Sequence, residues 1–551
     1  MKKKRLITLT LLLSAIYINI SAQGYEIKIK ISNLKNQEVI LGHHFGNQLI
    51  PDDTAKVNIK GEGIFKNSES LPGGMYFLFL PNKSYFDLIV DKDQTFTIIN
   101  DTVPKDYIKN FKAEGSAEND IFSKYQIFLS NQRNKATELT NKRTEFKDDK
   151  EKIKKIDADL NEINRNVTNE VEKIIQENPD FFFSKFLKAT QEIQIPDSIK
   201  EQKDRYYYYR NQYFKYFDFA DSRLLRSPIY ENKLDYYLDK IIPQVPDSII
   251  PEVDKLINKS RHDKELFRYM MVHLFNKYAS AQIMGMENVY VYLAENYYTE
   301  EAEWSDREFI SELKEKIRRR KPGLIGNTAP EINMIMLPKS ETGISVIKDK
   351  LQTVKEKGIN LQENKQYLDQ KAKEYKKTYP NLNDSAIQSQ VIINELAQII
   401  QDDFIPEFEG YISLDQIKSK FIIMWFWEHD CSHCKTLTPQ LAKAYDTEKL
   451  EEKGVTVYSV YLNRNINEWD KYTKHIEKWM DFVLGHDMLK LINVWEPIGY
   501  SHFRDKYDIS SSPVLYLLDE NKKIIAKRIG YDQAISIINE ILENEKKEKS
   551  K

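Results

Sequence analysis

Residues 421–439 read FIIMWFWEHDCSHCKTLTP and hold the most informative pattern in the chain. An unbroken apolar run, Phe421–Trp427, leads directly into Cys431-Ser432-His433-Cys434 and then into helix-forming residues. The run predicts a buried strand, and the residues after it predict a helix that begins near Cys431. Cys431 and Cys434 are the only cysteines among 551 residues, which excludes a framework of structural disulfides and a four-cysteine zinc site.

Two cysteines three residues apart in the first turn of a helix are close enough to form a disulfide. The first one also faces unpaired backbone N–H groups and the positive end of the helix dipole, which favour its thiolate. We therefore expect Cys431 to be the nucleophile and Cys434 the resolving thiol. Attack on a partner disulfide gives a mixed disulfide that Cys434 then displaces, and the reverse sequence oxidises a dithiol.

The residues around this motif resemble the thioredoxin superfamily, and specifically its exported TlpA-type disulfide reductases. Four landmarks carry the resemblance over roughly the last two fifths of the chain: Phe426-Trp427, Pro439, the segment YDISSSPVLYLLD at 507–519, and the segment IGNTAPEI at 325–332. The resemblance implies that Pro513 follows a cis peptide bond and that Ser512 offers its backbone to a partner peptide beside Cys431. It also implies that Trp427 and Pro439 tune the active-site strand and helix.

Two positions depart from the family pattern. Trp425 stands where thioredoxins carry a buried, proton-moving Asp, and Asp430 stands where a Trp usually precedes the motif. A negative charge at Asp430 opposes thiolate formation if it points at Cys431. Glu428 and Asp430 are candidate replacement proton acceptors, and His433 is a candidate cation that stabilises the reduced form. Solvated side chains without a catalytic role are the alternative for all three.

A soft-metal site built from His429, Cys431, His433 and Cys434 is a further alternative. A junction between a strand and a helix points alternate residues apart, however, and no distant ligand set follows. The remaining candidates, His475, His486 and His502, are scattered along the sequence. We therefore expect no metal and no separate cofactor, with the Cys431–Cys434 disulfide carrying the electrons.

The N-terminus has the pattern of a secretory signal. Met1-Lys2-Lys3-Lys4-Arg5 precedes an apolar run at 6–20, and Ser21-Ala22-Gln23 follows it. Cleavage is expected after Ala22, although Ile20 weakens the site and leaves an uncleaved anchor as the alternative. No later run approaches the ~20 apolar residues that span a bilayer. We expect a periplasmic or envelope protein that needs a periplasmic or membrane electron donor for its re-reduction.

The rest of the sequence changes character twice. Alternating apolar and charged residues such as Tyr25-Glu26-Ile27-Lys28-Ile29-Lys30-Ile31 predict short strands up to about residue 100, separated by turns that include Pro51-Asp52-Asp53. Residues 120–176 predict a long exposed helix pair, and the dense aromatic residues of 180–320 predict a helical core. About seventy residues then separate the first strand of the last domain from Phe421, and their helical composition predicts a structured element rather than a loose loop.

We therefore predict a multidomain protein with an N-terminal antiparallel β-sandwich, a central all-α domain and a C-terminal α/β thioredoxin-like fold with a helical insertion. The expected ranges are a signal peptide at 1–22, a β-sandwich at 23–112, a helical domain at 113–322, the thioredoxin-like domain at 323–545 with its insertion at 340–409, and a frayed charged tail at 546–551.

The predicted function is reduction of protein disulfides. The formal charge of −2 implies no nucleic-acid partner. The alternatives are a binding or scaffold protein that uses the domain for docking, an oxidant or isomerase, and a metal-transfer protein. An inert disulfide is disfavoured because bridging so short a loop adds little entropic stabilisation.

Overall fold

A computed structural model of the chain describes residues 24–462, 466, 468–497, 499 and 501–550. The predicted signal peptide lies outside these residues. Two compact units are present, one formed by residues 24–244 with Pro251–Met270, the other by Val245–Ile250 with the chain from Met271 onward. Across the described residues, every helix is too short or too polar to cross a bilayer. The predicted multidomain class is confirmed.

The first unit opens with seven strands. These are β1 (Glu26–Ile31), β2 (Glu38–Phe45), β3 (Gln48–Lys56), β4 (Glu62–Lys66), β5 (Gly74–Phe79), β6 (Tyr85–Val90) and β7 (Thr95–Asn100). After helix α1 (Tyr107–Asn110), strand β8 (Lys112–Glu114) completes two four-stranded sheets, ordered β4-β1-β7-β8 and β3-β2-β5-β6. Side chains from both sheets, including Ile29 and Leu78, share one core, which makes a sandwich.

Two details of this sandwich differ from the sequence prediction. The pairing of β1 with β7 is parallel, whereas the other pairings in the two sheets are antiparallel. Pro51-Asp52-Asp53, predicted as a turn, lies inside β3. Because β3 is an edge strand and Pro51 sits beside a register shift, the missing N–H of the proline removes no essential ladder bond.

Helices follow as predicted. They are α2 (Ala117–Glu145), α3 (Lys150–Glu177), α4 (Phe182–Thr190), α5 (Gln202–Gln212), α6 (Ile229–Tyr236), α7 (Pro246–Ser260), α8 (Lys264–Ala279), α9 (Met286–Leu293), α10 (Thr299–Glu301) and α11 (Arg307–Arg320). Helices α2 and α3 are the expected exposed pair, and each begins at a side-chain cap, Ser116 and Asp149. Most aromatic residues beyond them are buried or half-buried, although Tyr207, Tyr236 and Phe309 are exposed.

The second unit contains a seven-stranded sheet. Its elements in chain order are β9 (Asn333–Met336), α12 (Glu341–Glu363), α13 (Lys365–Thr378), α14 (Asp384–Ile399), β10 (Tyr411–Ser413), β11 (Phe421–Trp427), α15 (Ser432–Thr447), β12 (Val455–Tyr461), α16 (Trp469–Gly485), β13 (Ile492–Trp495), α17 (Phe503–Lys506), β14 (Val514–Asp519), β15 (Ile524–Lys527) and α18 (Tyr531–Lys549). The sheet order is β10-β9-β13-β12-β11-β14-β15.

Strand β11 is an interior strand of this sheet, between β12 and β14, and is buried along its whole length. Phe421, Ile423, Trp425 and Trp427 face one core, while the alternate residues Ile422, Met424 and Phe426 face the core on the opposite side of the sheet. A central strand covered on both faces has no solvent side, so its sequence is uninterrupted rather than alternating. This rigid strand holds the residues that follow it.

The predicted insertion is structured, since it forms α12, α13 and α14. Ile344 and Ile347 of α12 share a core cluster with Leu441 of α15. The Trp469 indole at the start of α16 donates a hydrogen bond to the Lys355 carbonyl, 3.0 Å away. The insertion therefore contributes to the core of the unit, and its deletion would expose apolar surface.

The end of the chain differs from the prediction of a frayed tail, because α18 continues to Lys549. The Glu545 carboxylate, near the end of α18, forms an ion pair with Lys420, which lies directly before β11.

Candidate functional site

Cys431 occupies the N-cap of α15, directly after the end of β11. Its backbone is extended, with φ −70° and ψ 129°, and its Sγ accepts a hydrogen bond from the Cys434 backbone N–H at 3.4 Å. Cys431 is partly exposed and Cys434 is fully buried. Both thiols are free. The helix N-terminus thus directs a backbone donor at the sulfur that solvent reaches.

The two thiols have opposite pKa shifts. Burial raises the pKa of the Cys431 thiol. Hydrogen bonds to its sulfur from the Cys434 side chain and backbone, among others, lower the pKa by more than burial raises it, so the net pKa is below the ordinary value. Burial raises the pKa of the Cys434 thiol to about 12. The exposed sulfur therefore forms a thiolate more readily than its buried neighbour does.

The Ser512–Pro513 loop lies against this pair. The peptide bond between Ser512 and Pro513 is cis, as the resemblance implies. The Cys431 thiol donates a hydrogen bond to the Ser512 carbonyl at 3.3 Å. The Ser512 hydroxyl donates to the Glu428 carboxylate at 2.6 Å, which ties the loop to the segment before the cysteines.

The other predicted tuning residues lie at different depths. The His433 side chain is exposed on α15. The Trp427 indole points into the core and donates to the Ser459 hydroxyl at 2.8 Å, and Pro439 lies inside α15. Of the four predicted tuning residues, Glu428 is the one whose side chain the structure connects to the Ser512–Pro513 loop.

Trp425 takes the position of the family's buried Asp without supplying an ionisable group. Its indole donates a hydrogen bond to the Thr438 hydroxyl on α15 at 3.0 Å. This contact joins strand and helix beneath the cysteines. Sequence reasoning identified the substitution but missed Thr438 as the partner.

Sequence reasoning also missed an aromatic and imidazole group beside the motif. The Tyr461 hydroxyl lies 2.6 Å from His429 Nδ1 and 2.7 Å from His475 Nδ1. Burial, followed by the neighbouring His475, lowers the pKa of His429 to about 4. The parallel register that pairs Trp427 with Tyr461 brings these residues together. Adjacent parallel strands end at the same edge of a sheet. A sequence prediction that pairs β11 with β12 could therefore have placed Tyr461, the last residue of β12, near the motif.

Three family models match the chain. A thioredoxin-like family matches residues 419–524, and two domains of unknown function, DUF4369 and DUF5106, match residues 25–122 and 139–320. No curated protein matches the sequence.

Several solved structures are similar to the chain. A domain of a possible thiol-disulfide isomerase from Cytophaga hutchinsonii is 33% identical, with 26% of this chain and 86% of that chain covered and a TM-score of 0.21. A thioredoxin-like protein from Bacteroides caccae is 16% identical over 63% of this chain and 97% of that chain, with a TM-score of 0.38. The thioredoxin domain of a thiol-disulfide oxidoreductase from Bacteroides vulgatus is 26% identical over 24% of this chain and 86% of that chain, with a TM-score of 0.20.

The family model spans both cysteines and Pro513, which are the residues that the fold brings together at the N-terminus of α15. The chain is therefore a thioredoxin-superfamily protein of the TlpA type to which its sequence landmarks point.

Proposed function

We propose that this protein is an exported thiol-disulfide oxidoreductase that reduces protein disulfides through Cys431 and Cys434. One observation supports this most directly: a partly exposed sulfur with a lowered pKa lies 3.3 Å from the Ser512 carbonyl. A thiolate is the attacking species in disulfide exchange, and this one lies beside backbone that can pair with a partner peptide.

The proposed reaction has two exchange steps. The Cys431 thiolate attacks one sulfur of the partner disulfide, forming a Cys431–partner disulfide and releasing the other partner sulfur as a thiolate that takes a proton from water. Cys434 then gives up its proton and attacks the Cys431 sulfur. The Cys431–partner bond breaks, and the second partner sulfur leaves as a thiolate that takes up the proton released by Cys434. The partner has then gained two electrons and is a dithiol, and a Cys431–Cys434 disulfide remains.

The raised pKa of Cys434 keeps it protonated until the mixed disulfide forms. Glu428 is the proposed proton acceptor, because its carboxylate holds the Ser512 side chain beside the sulfurs. The oxidised pair requires reduction by a dithiol donor before the next turnover. In an oxidising envelope compartment that donor is a second protein or a membrane carrier.

Equilibration of the Cys431–Cys434 pair with reduced and oxidised glutathione tests the direction. A potential near ~−270 mV fits a reductase, and one near ~−120 mV fits an oxidant. Turnover of a protein disulfide with a small dithiol as donor tests the activity itself, with Cys431→Ser as the matched inactive control. Turnover no faster than that of Cys431→Ser contradicts the proposal and favours a docking module.

A further inference from the structure

A second group of polar side chains lies beside the cysteines and consists of imidazole and carboxylate groups, with no thiol among them. His429 and Asp430 come from the segment after β11, and His475 comes from α16. One donor atom from each of the three lies within 4.8 Å of the others. The two imidazole rings have centroids 4.3 Å apart, and His475 Nε2 is 3.3 Å from an Asp430 carboxylate oxygen.

The Tyr461 hydroxyl fixes the orientation of both rings. It lies within hydrogen-bond distance of each Nδ1, and it can donate its own proton to the His475 carbonyl, 3.1 Å away. In the metal-free protein His475 Nε2 donates a hydrogen bond to the Asp430 carboxylate, because a carboxylate can only accept. An ion that displaced this proton would leave the Tyr461 hydroxyl accepting an N–H from both Nδ1 atoms, with the lone pair of each Nε2 directed to the ion.

We propose that His429, Asp430 and His475 form a site for a divalent transition-metal ion of the zinc type. Two imidazoles and one carboxylate are the donor set that zinc takes when three protein ligands leave one position open. In a tetrahedral zinc site with bonds of ~2.0–2.1 Å, the ligand atoms are ~3.3 Å apart. The separation between His475 Nε2 and the Asp430 carboxylate already has this value.

The burial of the three residues also fits a metal site. His475 is buried, His429 is half-buried and Asp430 is exposed, so the cluster opens to solvent on the Asp430 side. The rest of the site is held by Tyr461, which is fully buried and stacks on Trp479 with ring centroids 4.8 Å apart. A rigid base with one exposed ligand lets an ion reach the site without unfolding the domain.

The test is a titration of the full chain with Co²⁺ and then Zn²⁺, after Cys431 and Cys434 have been oxidised to their disulfide so that neither offers a thiolate. We expect saturable binding of one Co²⁺, visible d–d bands without a thiolate-to-cobalt charge-transfer band, and displacement by Zn²⁺.

Two variants probe the roles of individual residues. Asp430→Asn removes a charged ligand at an exposed position, and we expect at least ~10-fold weaker binding. Tyr461→Phe keeps the ring but removes the orienting hydroxyl, and we expect ~10- to 100-fold weaker binding. Asp481→Asn, an exposed carboxylate on the same helix as His475, is the matched control and should leave the affinity unchanged.

Three results overturn the proposal. One is the absence of saturable binding by the oxidised protein. Another is binding that occurs in the reduced protein alone or that shows a thiolate band, since the cysteines are then the ligands. The third is a metal affinity that is the same in Asp430→Asn and Tyr461→Phe as in the control Asp481→Asn. None of these readouts depends on thiol-disulfide turnover.

Discussion

Serine substitution of each cysteine in turn separates the chemistry of the two sulfurs. The variant Cys434→Ser keeps the partly exposed thiol, and Cys431→Ser keeps the buried one. In the second variant the cause that raises the pKa of Cys434 most, its burial, is unchanged. Each variant has a single thiol, so its reaction with an aromatic disulfide reagent is followed directly by absorbance.

The size of the difference follows from the two pKa values. The pKa of Cys434 is about 12, and the pKa of Cys431 lies below 9.0. A gap of at least ~3 units makes the thiolate of Cys431 at least ~1,000 times as abundant as that of Cys434 at pH 7. The more basic thiolate of Cys434 is intrinsically ~20-fold more nucleophilic, taking a Brønsted slope of ~0.45.

The expected ratio of second-order rate constants is therefore at least about 50 in favour of Cys434→Ser, before the burial of Cys434 widens it further. The pH profile adds a second check. The rate of Cys434→Ser should rise with pH as the Cys431 thiolate forms. Because the serine hydroxyl can donate to the Cys431 sulfur in place of the Cys434 thiol, and the backbone donor is kept, the midpoint should stay below that of free cysteine. Rates within threefold of each other, or a faster reaction of Cys431→Ser, would refute the assignment of Cys431 as nucleophile.

Three further predictions concern stability. Glu287→Gln removes the ion-pair partner of Lys527, whose side chain is 9% exposed, and should lower the free energy of unfolding by about 3 kcal/mol in urea denaturation. Gly358→Ala places a Cβ 2.1 Å from the Trp469 ring and should cost about 2 kcal/mol by the same measurement. Burial raises the pKa of Glu118 from 4.5 to about 7, so the folded state holds a proton that the unfolded state loses, and stability should fall by about 3 kcal/mol as pH rises from 4.5 through 7.

Matched variants control these measurements. Adding Lys527→Met to Glu287→Gln removes the unpaired charge and should restore most of the lost stability, whereas equal losses in both would contradict the ion-pair argument. Gly485→Ala, where a Cβ meets nothing within 4 Å, should be neutral or slightly stabilising. Glu118→Gln should abolish the fall in stability between pH 4.5 and 7, and an unchanged pH profile would mean that another group causes it.

The sequence predicted an element correctly where one physical effect, such as burial on both faces of a strand, determines its residue pattern. The seven apolar residues of β11 are unbroken because both faces of the strand are covered, and the fold around them follows. The place of Ser512 and Pro513 beside Cys431 came from the family resemblance, since neither length nor periodicity brings residues 81 positions apart together.

Other features depend on tertiary pairing that a linear pattern does not contain. Strand β13 was not predicted, because Ile492–Trp495 is a short apolar run that suits a strand or a helix equally well. Pro51 looked like a turn until its edge position was known. His475 looked isolated because α16 is distant in sequence from residue 429, although the helix lies against the end of β12 in space.

The ion pair between Glu287 and Lys527 has a consequence for modularity. Glu287 belongs to α9, in the region matched by a domain of unknown function, yet its partner is on the last strand of the redox sheet, and Asn288 of the same helix donates to the Ile325 carbonyl at 2.8 Å. A recombined or shortened chain that begins at residue 323 would lack both contacts. The buried Lys527 ammonium group would then have lost its Glu287 partner. Transfer of this thioredoxin-like domain between proteins should therefore carry helices α9 to α11 with it.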